Sequence, residues 1–97
     1  MVFVAVVCEL GSDDNRGEVH ALLRQYGFEP VYAELFESVT IKESLLPRLK
    51  RDIDRITDSY DRMRIYQYPL EGTLVITALR NKKWRKSILR QDVETGE

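Results

Sequence analysis

Val2 to Cys8 is an unbroken apolar run that stops at Glu9. A half-wet strand would alternate apolar and polar residues. A continuous run of this length fits a central strand covered on both faces. It falls far short of the ~20 residues that a bilayer span needs. The chain that follows must therefore supply strands and helices to surround this segment. What comes first is polar: Glu9, then Gly11-Ser12-Asp13-Asp14-Asn15-Arg16.

The length allows one core and no second one, because 97 residues make a single small domain. An apolar content of 43% with 32% charge suits a soluble globular chain. The N-terminal run lacks a basic leader and a small-residue cleavage site, so no signal peptide is expected. Cys8 is the lone cysteine and cannot form an intrachain disulfide, which agrees with a reducing, cytoplasmic setting and no membrane. Cys8 and His20 are too few for a zinc site, and their spacing fits no usual ligand pattern.

After the first strand, Asp13 or Asp14 is expected to cap a helix. Val19, Leu22, Leu23 and Tyr26 follow i, i+3, i+4, i+7, which gives that helix one apolar stripe. Gly27 suits the left-handed residue that ends it. Residues 28–41 are β-rich with period two, and their length predicts two short strands, about 28–32 and 34–41. Thr40 to Glu43 has the form of a capping box. Leu45, Leu49, Ile53 and Ile56 then share one face of a second helix, expected from near Ser44 to about Thr57. Asp58 to Asp61 reads as a turn, 62–68 as a strand, Pro69 to Gly72 as a break and Thr73 to Leu79 as a further strand. The resulting order is that of an α+β, ferredoxin-like βαββαβ antiparallel sheet with two helices on one face, plus one extra C-terminal strand. The expected division is a domain over 1–79 and a basic segment over 80–97.

Two places carry candidate chemistry. The first is Glu9 with Asp13 and Asp14, where acids gather at one sheet edge. They suit a polar strand end followed by a helix cap, or a divalent cation that activates water against a phosphodiester. Arg16 reaches for phosphate or for a surface ion pair. The second is the stretch from Arg80 to Arg90, which holds six bases and no acid in eleven positions although the whole chain carries a net charge of only −1. Lys82, Lys83, Arg85 and Lys86 there suit phosphate contacts, and Trp84 an anchor or a stack. A solvated tail and a strand packed on a second copy are the competing readings. The tyrosines Tyr60, Tyr66 and Tyr68 are expected to pack on the sheet rather than stack on bases, and Cys8 to be an inert core residue.

These pieces together resemble a known family. They are the apolar strand ending in Glu9, Ser12-Asp13-Asp14 with Arg16, the helix end Leu22-Leu23…Tyr26-Gly27, the strand Val31…Leu35-Phe36-Glu37, and Arg64-Ile65-Tyr66 on a late strand. Their order and spacing are similar to those of the small CRISPR-associated family that partners the spacer-inserting integrase and is often described as a nuclease. The resemblance covers residues 1 to about 68. It implies a homodimer with the N-terminal strands facing each other, an integrase partner, and binding of duplex DNA or RNA. It also implies that Glu9 is the catalytic and metal-binding acid, with Mg²⁺ or Mn²⁺ as cofactor of a metal-dependent endonuclease. Where that family has Tyr-Asp, this chain has Cys8-Glu9, whose carboxylate reaches one methylene further. The alternative class is a regulatory or ligand-binding ferredoxin-like dimer with no nucleic-acid role, and a third is an RNA-cleaving toxin of similar fold.

Overall fold

In the computed structural model, residues 2–68 and 73–90 are described. The expected break at 69–72 and the acidic stretch at 91–97 lie outside them. The elements run β1 (Phe3–Glu9), α1 (Asp13–Gln25), β2 (Glu29–Tyr32), β3 (Leu35–Ser38), a 3₁₀ turn at Glu43–Leu45, α2 (Leu46–Ile56), β4 (Arg62–Tyr68), β5 (Thr73–Arg80) and β6 (Lys83–Arg90). The protein is a small α+β structure. Its six strands form one antiparallel sheet in the order β2-β3-β1-β4-β5-β6. Five strands were expected. The sixth comes from the basic segment, which pairs with β5 of its own chain over eight register positions. The boundary at residue 79 therefore falls inside a continuous sheet, because β5 runs on to Arg80 and turns straight back.

Strand period two sorts the side chains onto two faces. On one face Val4, Val6 and Cys8 of β1, Phe36 of β3, Met63 and Ile65 of β4 and Leu79 of β5 join one buried cluster with Val19 and Leu23 of α1 and Leu46, Leu49 and Ile53 of α2. The two helices cover this face. Among the described residues no helix lies on the opposite face. Ala5 is buried there, but Val7 is 41% exposed, so β1 is enclosed on one side and only partly covered on the other.

Local sequence explains most element ends. Ser12, not Asp13 or Asp14, caps α1, and its hydroxyl accepts from the Asn15 amide at 3.1 Å. The two aspartates occupy the first turn instead, where they suit the helix dipole. Gly27 closes the helix with φ of +90°, as expected. The capping box at Thr40 is not formed. Ser38 is buried in β3 and its hydroxyl accepts from the Thr40 and Ile41 amides, which turns the chain before the 3₁₀ segment. Pro47 sits in the first turn of α2, where its missing amide costs nothing. β2 differs from expectation too: all four residues are exposed, because it is an edge strand whose buried anchor is Phe28, just before it.

Candidate functional site

The register places charged side chains in rungs across the open face. Glu9 of β1 lies opposite Arg62 of β4, Arg62 opposite Arg80 of β5, and Arg80 opposite Lys83 of β6. The next rung on the same face is Val7, Arg64, Ala78 and Arg85. Two adjacent rungs thus hold five cations and one acid. Farther along, the face turns apolar and aromatic, with Ala5, Tyr66 and Ile76 in one rung and Phe3 opposite Tyr68 in another. The Phe3 and Tyr68 rings lie 6.1 Å apart and tilted, so the tyrosine does pack on the sheet as expected, yet it stays 52% exposed.

Glu9 is 69% exposed and its Oε1 meets an Arg62 guanidinium nitrogen at 2.5 Å. The surrounding pocket, of about 350 Å³, is bordered by Glu9, Arg62, Arg64 and Arg80. Asp13 is not part of it. It lies at the start of α1, almost fully exposed, and pairs with Arg16 at 2.5 Å. Among the described residues no three His, Cys, Asp or Glu side chains gather as metal ligands. A hard divalent cation takes several oxygen ligands. One carboxylate already held by arginine, with two more arginines beside it, does not fit Mg²⁺ or Mn²⁺. A second copy facing it would add one carboxylate and also one more Arg62.

Arg16 is engaged beside the end of β1, in contacts of its own. Its Nε donates to Glu34 at 3.0 Å and another nitrogen to the Leu10 carbonyl at 3.0 Å. Arg16 is thus ion-paired with Asp13 one turn before it and with Glu34, not with an i,i+4 partner. Glu34 also meets His20 Nε2 at 2.9 Å, and the His20 ring lies 4.8 Å from that of Phe36. His20 is thus a packed helix residue tying α1 to the β2–β3 turn. Cys8 is buried. Burial first, and then the nearby Glu34 charge, push its thiol up to about 12, so it stays protonated and inert.

The basic segment divides by strand alternation. Lys83 and Arg85 lie on the open face with Arg62, Arg64 and Arg80. Lys86 lies on the helix side, where it contributes, after burial, to lowering the pKa of Lys50 on α2. Lys82 leaves the group altogether. Its ammonium donates to the Thr57 carbonyl at 2.9 Å and to that of Asp54, at the C-terminal end of α2. It caps a helix and is spent structurally. Trp84 packs partly buried against the core. Sequence reading passed over Arg62 and Arg64 as cations of the site. Their signal was the alternation of Arg62 and Arg64 with Met63 and Ile65, which puts both arginines on one face of β4.

No family model matches the chain, and no curated protein or solved structure is significantly similar to it.

Proposed function

We propose that the protein is a nucleic-acid-binding subunit of the CRISPR-adaptation type, acting as a homodimer beside an integrase and holding duplex DNA or RNA through its phosphates. The observation that carries this reading is the pair of cationic rungs on the open sheet face. Arg62, Arg64, Arg80, Lys83 and Arg85 converge there, and among the described residues only Arg62 is paired with a carboxylate. Sequence-independent phosphate contact needs such a surface and little else. The resemblance in residues 1–68 supplies the biological setting. It also supports a ferredoxin-like description of the first four strands with their two helices, to which the β5–β6 hairpin is appended. We include no hydrolytic step at Glu9, since the donors that the described residues place there do not suit the metal.

The test is a titration of labelled duplex by fluorescence anisotropy between about 50 and about 200 mM salt. Wild type should lose affinity steeply over that range. The double variant Lys83→Glu with Arg85→Glu should bind more weakly at low salt, with the log–log slope flatter by roughly two. Equal binding by variant and wild type would refute the reading and favour a ligand-binding dimer without a nucleic-acid role.

A further inference from the structure

We propose that the pocket at Glu9 is a phosphodiester-binding site in which Glu9 is the counter-ion that the nucleic-acid backbone displaces. On this assignment the acid that ends β1 restrains anion binding and does not hold a metal. The proposal rests on the nucleic-acid reading above and specifies the site within it.

Three observations converge. Arg62 and Arg80 are direct cross-strand partners, and like charges placed so destabilise a sheet. Glu9 sits on the other side of Arg62 at 2.5 Å and offsets one of the pocket's three guanidinium charges, leaving a surplus of two. Two small apolar residues, Val7 and Ala78, also border the pocket and flank Arg64 in the neighbouring rung. A guanidinium presents two parallel donors that match two oxygens of a phosphate. Both Glu9 and Arg62 are more than half exposed, and an exposed ion pair of this kind is weak enough for a polyanion to replace. The rung continues through Arg80 to Lys83, and the neighbouring rung through Arg64 to Arg85. A strand lying along them would meet successive cations after the first phosphate seats beside Arg62.

A metal ligand and a displaceable counter-ion predict opposite signs for one substitution. Full-length wild type, Glu9→Gln and Arg80→Gln are titrated with the same labelled duplex, first with a chelator present and then in millimolar Mg²⁺. Inorganic phosphate serves as competitor in a parallel series. Glu9→Gln should bind about twofold to fivefold more tightly without divalent metal, and Arg80→Gln more weakly by a similar factor. Mg²⁺ should weaken wild type and Glu9→Gln alike, as any salt does, and inorganic phosphate should compete poorly beside a continuous backbone. Weaker or unchanged binding by Glu9→Gln would overturn the proposal, as would Mg²⁺-dependent tightening that needs Glu9. If Lys83→Glu with Arg85→Glu weakens binding while Glu9→Gln leaves it unchanged, the pocket assignment falls and the broader reading stands. If wild type shows no salt-dependent binding at all, both fall. Glu9 and its ion pair are exposed, so the variant's thermal unfolding should fall only slightly, which separates charge from folding.

Discussion

Asp61 has no exposed surface, and its carboxylate accepts from the Gly11 amide at 2.7 Å, the Asp58 amide at 2.8 Å and the Asn15 side chain at 2.9 Å. Burial by itself would raise its pKa. The hydrogen bonds from Gly11, Asp58 and Asn15, with the charge of Lys82, outweigh that and hold the group below the usual carboxylate range. A lowered folded-state pKa stabilises the fold at pH values above the unfolded-state value of about 3.9, and that stabilisation fades as pH falls through the folded value. Wild type should therefore lose stability in acid, and Asp61→Asn should show a shallower acid loss together with about 2 kcal/mol lower stability at pH 7, read by urea unfolding across a pH series. Gly11 has its own reason. A Cβ there would lie 2.3 Å from the Tyr60 ring, which is exposed enough to swing away. Gly11→Ala should thus cost only about 1 kcal/mol, chiefly by breaking the Tyr60 hydroxyl's 3.0 Å bond to Asp58. None of this clasp was legible beforehand. Asp58 to Asp61 reads as a turn, and nothing local announces that Asp61 ties itself to residues 46 and 50 positions away.

The β5–β6 hairpin turns on Asn81 and Lys82, whose φ values of 55° and 64° make a two-residue turn of the kind whose twist matches paired strands. Asparagine adopts that conformation readily, whereas lysine does so under strain. The Lys82 ammonium's place at the end of α2 offsets it. Lys82→Ala should lower stability by about 1 kcal/mol while leaving nucleic-acid affinity close to wild type, the reverse of the pattern for Lys83 and Arg85. Trp84 is the single tryptophan and packs against the core, so its fluorescence should shift to longer wavelength when the hairpin undocks. The physics of legibility is plain in these elements. α1 and β4 each follow one dominant periodicity and β1 is one unbroken apolar run, and the structure places all three within a residue or so of expectation. β6 does not, because Lys83, Arg85, Lys86 and Arg90 mask the alternation of Trp84 and Ile88, and Asn-Lys is a weaker turn signal than Asn-Gly. For the same reason the basic run reads as one patch in the sequence, although strand geometry sends Lys86 to the opposite face from Lys83 and Arg85.

Across the molecule, the open sheet face is graded from cations at one end to Phe3, Tyr66, Tyr68, Leu74 and Leu89 at the other. That apolar end is where a second copy would gain most, and Leu89, on the same face and 54% exposed, sits within it. Sedimentation at micromolar concentration should show a dimer whose dissociation is promoted by Leu89→Lys, with unfolding midpoints little changed. A monomer in wild type would refute the homodimer. The two sheet edges are unlike. β2 is four residues long, carries Pro30 and shifts register between Pro30 and Tyr32, all of which spoil it as a template. β6 is eight residues long and pairs with β5 without a register shift, and among the described residues only its own charged side chains guard its outer edge. An antiparallel edge strand aims alternate amides inward to its neighbour and outward to water. Deuterium should therefore enter residues 83–90 in two populations, every second amide fast and the others slow. A partner that extended the sheet would announce itself by slowing the fast set alone.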